Sequence, residues 1–228
     1  MNGLRSRRWL IADRPLGRSL VAGDFRLDEA EVPAPGPGEV LVRTLYLSFD
    51  PAQKGFMENV ASYAQATALG AVMTGDGVGQ VVASRAERFP VGSLVSGTLG
   101  WQEYALLGEG RLEAVRTDIP PTAALGAVGM TGRTAYFGLL HVGRARAGDT
   151  LVVSGAAGAV GSVAGQIGRI AGCRVIGIAG GRAAAMQFSS TSWDSTPRST
   201  TRARSCALAC ALSCARAAST CSSTTSAA

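Results

Sequence analysis

The sequence predicts an α/β protein with a β-rich first half followed by a parallel β-α-β unit. Up to residue 120, short runs rich in β-branched and aromatic residues alternate with turns built from glycine and proline. Beyond Pro120-Pro121 the apolar residues recur at helical spacing, and an apolar strand leads through a glycine-rich turn into a helix. With 46% hydrophobic residues among 228, the chain can bury a sizeable core.

Short strands dominate the first half. We predict strands at residues 10–13, 25–32, 39–48, 75–83 and 101–106, and a hairpin at residues 90–95. Residues 33–38 are a cluster of proline and glycine that no central strand or helix could accommodate. Asp50-Pro51 suits the start of a helix. Many short strands joined by glycine and proline turns predict a small barrel or sandwich.

The second half has the pattern of a β-α-β unit. Residues 122–128 and 132–141 have the apolar spacing of helices. The apolar strand 151–154 leads into the glycine-rich segment 155–162, then a helix to about residue 171 and a strand at 174–179. A strand, a helix and a second strand in this order predict a parallel pair with a crossover helix.

Charge and hydropathy exclude several classes of protein. No stretch is long and apolar enough to span a membrane, and the segment after Met1 lacks the apolar core of a secretory signal, so we expect a cytoplasmic protein. The formal net charge is +6, but only Lys54 among the 22 cationic side chains is a lysine, and the arginines are spread along the chain. Nucleic-acid surfaces cluster both types, so no nucleic-acid partner is expected.

The reactive side chains form no metal-binding or nucleophilic motif. Four of the five cysteines lie beyond residue 200, but zinc sites pair close ligands with distant ones, and His141 is the only histidine. We therefore expect no metal. His141 is typical of a surface or capping residue, and Ser154 lacks the surroundings of a nucleophile elbow. Tyr46, Tyr104 and Tyr136 are as typical of core residues as of residues in a functional cleft. The sequence therefore assigns no catalytic residue.

Gly155, Gly158 and Gly161 have the spacing of a dinucleotide-binding turn. They follow a buried type of strand and open a helix, which is the context that such a motif requires. Glycines let the backbone approach a pyrophosphate, while the free N–H groups and the positive end of the helix attract it. The alternative is a glycine-rich turn that packs the helix on the strand and binds no ligand.

The end of the second strand of this unit indicates which dinucleotide binds. An NAD site places an acidic residue about twenty residues after the glycines, where it binds the ribose 2′-hydroxyl. Past Ala179 this chain has Gly180, Gly181 and Arg182 instead. The glycines leave room for a 2′-phosphate and Arg182 could pair with it, which favours NADP. The alternative for Arg182 is a solvated surface arginine.

Three strings resemble the zinc-independent medium-chain dehydrogenase/reductases of the leukotriene B4 dehydrogenase, prostaglandin reductase and alkenal double-bond reductase group. They are LYLSFDP (45–51), GMTGRTAYFGL (129–139) and VSGAAGAVGS (153–162), within a resemblance that covers about residues 8–182. The resemblance implies a GroES-like substrate domain at 1–125 and the start of a Rossmann NADP-binding domain at 126–187. It implies NADPH-dependent reduction of the C=C bond of α,β-unsaturated aldehydes and ketones. The implied partner is a small enone or enal, with homodimerisation left open.

The resemblance also implies roles for individual residues. Residues 158–161 would hold the pyrophosphate, Met130 and Thr134 would lie near the nicotinamide and its ribose, and Gly180 would border the adenosine ribose. The expected cofactor-binding residues are Met130, Thr134, Gly155, Ala157, Gly158, Ala159, Val160, Gly161, Gly180 and Arg182.

The chain departs from this family in three places. The family's Asp-Pro-Tyr-Met-Arg string becomes DPAQK at residues 50–54, so a pocket tyrosine is replaced by Ala52. Ala184 stands where a phosphate-binding lysine is usual, and nothing beyond Met186 matches. Two alternatives therefore stay open, a quinone oxidoreductase of the same superfamily and a non-catalytic fragment.

The segment 188–228 differs in composition from the rest of the chain. Of its 41 residues, 31 are Ser, Thr, Ala or Cys, and no strand or helix period survives in it. A GC-rich coding of Val-Asp-Val-Phe-Phe-Asp-Asn-Val-Gly, a string typical of the family, yields residues 219–227 when read one nucleotide late. A second such string yields residues 190–204. We therefore expect a disordered, out-of-frame tail, and a truncated Rossmann domain with impaired activity.

Overall fold

The computed structural model describes residues 3–58, 66–179 and 213–215, and the chain divides into two compact units, Met1–Leu125 and Gly126–Ala228. The strands are β1 (Arg5–Ile11), β2 (Phe25–Glu31), β3 (Glu39–Leu47), β4 (Asp76–Ser84), β5 (Leu94–Thr98), β6 (Tyr104–Gly108), β7 (Glu113–Ala114), β8 (Thr150–Ser154), β9 (Arg174–Ile178) and β10 (Ser213–Ala215). The α-helices are α1 (Pro51–Glu58), α2 (Met130–Tyr136) and α3 (Ala159–Ile170).

Five antiparallel strands form the main sheet of the first unit, in the order β6-β3-β4-β5-β7. Its inner face is a cluster of buried side chains from Val40, Val42, Val81, Phe89, Val95, Leu99, Ala105, Leu107 and Leu112. The register of β3 against β4 shifts after Leu41 and again after Thr44. Bulges of this kind bend a strand and increase the twist of its sheet. The β-rich first half predicted from the sequence is confirmed.

The strands β1 and β2 pair as a separate antiparallel ribbon. The guanidinium of Arg8 donates to the carboxylate of Asp28 across this ribbon at 2.8 Å. A small core packs Ile11, at the end of β1, against Met57 of α1 and Met73. The ribbon is therefore held by charged pairs along its length and by apolar burial at one end.

The second unit contains the predicted β-α-β arrangement. The strands β8 and β9 are parallel, and α3 connects them. Leu151 and Val153 of β8 are buried with Leu139 in the core of this unit. A Cβ on Gly168 would lie 2.5 Å from Cδ2 of Leu151, so this glycine lets α3 pack closely on the sheet. Within the described ranges no helix is long and apolar enough to cross a membrane.

Of the segment 188–228, only β10 belongs to the described part of the chain. It pairs antiparallel with β8, on the edge opposite β9. At these three residues the structure has a strand, where the sequence analysis expected no regular structure. An edge strand offers unpaired N–H and C=O groups that any extended segment can meet, whatever its side chains. The disorder predicted for the remainder of the tail falls outside the described residues.

Four other predicted elements differ from the structure. β1 begins at Arg5 rather than at residue 10, and β6 spans Tyr104–Gly108 rather than residues 101–106. The α-helix predicted at 122–128 is absent. Pro121–Leu125 forms a short 3-10 helix instead, and a second turn follows, in which the Gly129 N–H donates to the Gly126 carbonyl. The helix predicted at 132–141 begins as α2 and continues as a π-helix over Phe137–Val142.

Candidate dinucleotide-binding site

Short backbone hydrogen bonds close the turn between β8 and α3. The Gly158 N–H donates to the Gly155 carbonyl at 2.8 Å. The Ala156 N–H donates to the Ile178 carbonyl at 3.0 Å, which ties the turn to the end of β9. Gly155 has a φ of +61°, in the left-handed region that favours glycine. The turn is thus held at the carboxyl ends of two parallel strands, where open α/β sheets bind their ligands.

Gly161 occupies a position with no room for a side chain. A Cβ there would lie 2.3 Å from the Gly155 carbonyl oxygen and 2.9 Å from the Ala156 Cα. The first turn of α3 therefore packs directly on the backbone of the glycine turn. Gly158 is the N-cap of α3, and a Cβ on it would lie 3.1 Å from the same carbonyl oxygen.

The N-terminus of α3 presents a group of uncapped backbone donors. Gly158 supplies no capping side chain, and no acidic side chain lies in the first turn. The N–H groups of Ala159, Val160 and Gly161 have no hydrogen-bond partner among the described residues. Ala157, Gly158 and Ala159 are exposed. Free donors at the positive end of a helix favour a bound phosphate, so these residues fit the pyrophosphate of a dinucleotide.

Met130 and Thr134 lie on the exposed side of α2, which packs against α3. The Thr134 hydroxyl donates to the Met130 carbonyl at 2.8 Å. Between them, a Cβ on Gly132 would lie 1.7 Å from the Ala127 carbonyl oxygen, so the start of α2 presses on the preceding loop. No hydrogen bond within the described part links Met130 or Thr134 to the glycine turn.

The structure thus brings together six of the predicted residues, those between 155 and 161, and places Met130 and Thr134 on the helix packed against α3. Gly180 and Arg182 lie outside the described residues, so the choice between NADP and NAD stays a prediction. Across the described ranges, no group of three or more His, Cys, Asp or Glu side chains could hold a metal ion.

The π-helix after α2 forms an aromatic group that the sequence analysis did not predict. The ring of His141 lies 5.6 Å from that of Tyr136 and 5.1 Å from that of Phe137, measured between centroids. Tyr136 and His141 are five residues apart, the spacing that a π-helix brings onto one face. All three side chains are exposed, and the interpretation of His141 as a surface residue agrees with this.

Asp24 is a buried carboxylate in the first unit. It accepts hydrogen bonds from Arg18 at 2.5 and 2.9 Å and from the Val21 N–H at 2.8 Å. The bonds from the Arg18 guanidinium, and then the one from Val21, lower the pKa of Asp24 below its ordinary value. This pair fixes the 3-10 turn Ala22–Asp24, which leads into β2.

Comparison with known proteins identifies the relatives of this chain. A family described as the N-terminal domain of oxidoreductase matches residues 7–115. NADPH-dependent curcumin reductase of Escherichia coli is 45% identical over 178 residues, which are 78% of this chain and 51% of the relative. Prostaglandin reductase 1 of Oryctolagus cuniculus is 40% identical over 181 residues, 78% of this chain and 50% of the relative.

A solved structure is similar over both units. The crystal structure of CurA in complex with NADPH from Vibrio vulnificus has a TM-score of 0.78 and 43% identity, and the match covers 86% of this chain and 58% of that chain. The chain spans about half the length of the curated relatives that it matches.

A β-rich domain followed by a parallel β-α-β unit with a glycine turn is the architecture of a dinucleotide-binding oxidoreductase. The chain belongs to the zinc-independent medium-chain dehydrogenase/reductases. The resemblance stated from the sequence is therefore confirmed, together with its fold of a GroES-like domain followed by Rossmann elements. Relatives are named as NADP-dependent oxidoreductases, so the chain is by family an oxidoreductase.

Proposed function

We propose that the chain carries the NADPH-binding turn of a reductase that acts on the C=C bond of α,β-unsaturated aldehydes and ketones. The observation that carries the proposal is the group of N–H donors at Ala159, Val160 and Gly161, which have no partner among the described residues and lie beside the exposed Ala157 and Gly158. The names of the relatives, which include a 2-alkenal reductase, support the substrate class. A homodimer remains part of the proposal and is tested by the mass of the particle in solution.

The residues of this chain have distinct roles in the proposal. The three backbone donors bind the pyrophosphate, and Met130 and Thr134 line the nicotinamide end. Arg182 pairs with the 2′-phosphate. The bound NADPH supplies the hydride that adds to the β-carbon of the enone. Negative charge then develops on the carbonyl oxygen, which requires a hydrogen-bond donor. No catalytic residue is assigned to that task.

A fluorescence titration with NADPH tests the binding step, using two variants that add the same charge. Ala159→Glu places a carboxylate in the first turn of α3, where the helix dipole stabilises it, so the fold should be kept. The same carboxylate repels the pyrophosphate and should weaken NADPH binding by about tenfold or more. Gln166→Glu adds its charge about two turns further along the exposed face, roughly a Debye length away, and should change the affinity by less than about twofold. Equal effects of the two variants would contradict the proposed site.

The substrate class is tested by comparing turnover of a 2-alkenal with that of a quinone. Faster reduction of the alkenal by NADPH supports the proposal, and faster reduction of the quinone supports the alternative. We also propose that residues after 187 are an out-of-frame extension, so that turnover of either substrate by this chain is weak relative to the bacterial curcumin reductase. The fragment alternative predicts no NADPH binding at all.

A further inference from the structure

Four exposed arginines lie at one end of the second unit, in or next to two loops. They are Arg144 and Arg146, before β8, and Arg169 and Arg174, on either side of the turn from α3 to β9. We name this group the arginine edge. It lies at the amino ends of the two parallel strands, whereas the glycine turn follows the carboxyl end of β8.

Backbone contacts hold the two loops of the arginine edge together. The Gly148 N–H donates to the Gly172 carbonyl at 2.9 Å, and the Arg174 N–H donates to the Asp149 carbonyl at 2.8 Å. A Cβ on Gly172 would lie 3.0 Å from the Cβ of Ala147, so the loops are in close contact. The positive charges are therefore gathered by the fold, although they are about 25 residues apart in sequence.

The arginine edge has little compensating charge. Residues 126–179 contain five arginines and a single acid, Asp149, whose carboxylate accepts a hydrogen bond from the Arg146 N–H at 2.8 Å. Within the described part of the chain, no ion pair involves any of the four arginines. The first unit differs, because its arginines pair repeatedly with carboxylates, as Arg7 does with Glu103.

Two aliphatic side chains beside the arginine edge are almost fully exposed. Val142 is 81% exposed and Ile170 is 86% exposed, the highest values among the large hydrophobic residues of the described ranges. Each is close in sequence to an arginine of the edge. Arg144 also has a φ of +52°, the only positive φ outside glycine in the described residues. A non-glycine residue held there is strained, and such strain is concentrated at sites of function.

We propose that the arginine edge is a docking surface for an acidic protein segment that also carries apolar side chains. The planar guanidinium of arginine presents several N–H donors in the geometry of a carboxylate. Because the four arginines form no ion pair within the described residues, a partner with carboxylates would complement them. Aliphatic side chains next to arginines provide the apolar contact that protein interfaces combine with polar ones. Nucleic acid fits less well, because four arginines without an aromatic side chain on these loops offer few phosphate contacts and no base stacking.

The test uses a synthetic amphipathic peptide of glutamate and leucine, labelled for fluorescence anisotropy. The wild-type chain should bind it, more weakly as the salt concentration rises. The double variant Arg146→Gln/Arg174→Gln should weaken binding by about tenfold, and Ile170→Ser by about threefold. Arg85→Gln removes an exposed arginine of the first unit and should change binding by less than about twofold. Circular dichroism and the NADPH titration, which the edge variants should leave unchanged, confirm that the variants fold.

Three results would overturn the proposal. One is no binding of the peptide at low salt. Another is about threefold weakening by Arg85→Gln, which is the effect of one charge if the double variant loses tenfold through its two, and which would show attraction to net charge alone. The third is tighter binding of double-stranded DNA, or of vesicles with anionic lipids, than of the peptide, which would assign the edge to a different class of partner.

Discussion

Replacing Gly161 with alanine should distort the glycine turn and weaken dinucleotide binding. In a helix, alanine is favoured over glycine by about 1 kcal/mol. The added Cβ, however, would lie 2.3 Å from the Gly155 carbonyl oxygen, where ordinary contact begins at 3.4 Å, so atoms must move by about 1 Å. Overpacking of this kind costs about 1–3 kcal/mol, which leaves a net loss of up to about 2 kcal/mol in the free energy of unfolding.

The direction of that movement decides the effect on binding. The obstructing atom belongs to the backbone, so relief of the clash must displace the turn relative to the N–H donors of α3. We expect NADPH affinity to fall by about tenfold, because a shift near 1 Å lengthens hydrogen bonds to the pyrophosphate beyond their normal range. NADPH fluorescence titration measures the affinity, and urea unfolding followed by circular dichroism measures the stability.

Gly168→Ala is the matched control in the same helix. It gains the same helix propensity, and its Cβ would lie 2.5 Å from Cδ2 of Leu151, the end of a side chain rather than backbone. The cost falls on the core beneath α3, so stability should change while NADPH affinity stays within about twofold of the wild type. Wild-type affinity in Gly161→Ala, or an equal loss in Gly168→Ala, would refute the role assigned to the turn.

Three further predictions concern other parts of the chain. The lowered pKa of Asp24 means that its stabilising effect is present above the ordinary value of 3.8 and is lost as the pH falls through the folded-state pKa. The urea midpoint of the wild type should therefore fall more steeply in acid than that of Asp24→Asn; equal slopes would contradict this. Arg182→Gln should weaken NADPH binding by about tenfold and leave NADH binding unchanged. Equal effects on the two cofactors would contradict a contact between Arg182 and the 2′-phosphate. Limited proteolysis should trim the chain to about residue 187, and the other reading frame beyond that point should encode further Rossmann elements; a protease-resistant tail would contradict the out-of-frame interpretation.

The sequence predicted best those elements whose residues follow an apolar pattern. The boundaries of β3 and β8 and the end of α3 agree with prediction within about two residues, because apolar burial determines both the sequence pattern and the element. The start of α3 lies about four residues earlier than predicted, within the glycine-rich segment. β1 was predicted too short, since its outer residues, such as Arg8, pair with carboxylates and show no apolar alternation. The change from α-helix to π-helix at Phe137 carries no signal in the sequence that these patterns detect.

Local sequence also determines which functional features could be predicted. The glycine turn could be predicted because its conformation depends on residues within a short segment, from Gly155 to Gly161. The arginine edge could not, and the sequence analysis described the arginines as spread along the chain. Arg146 and Arg174 approach each other only because Arg174 pairs in register with Thr150, at the start of β8. Such proximity follows from the tertiary fold and from no local pattern.

The most direct measurement of the proposed cofactor site is a titration of the isotopically labelled chain with NADPH, followed by the backbone amide signals in NMR. The amides of Ala159, Val160 and Gly161 should show the largest shifts, as they become hydrogen-bonded to the pyrophosphate. In Ala159→Glu, the shifts of the Val160 and Gly161 amides should require about tenfold more NADPH to reach saturation. Shifts confined to other parts of the chain, or none at the helix terminus at saturating NADPH, would contradict the assignment of this turn as the dinucleotide site.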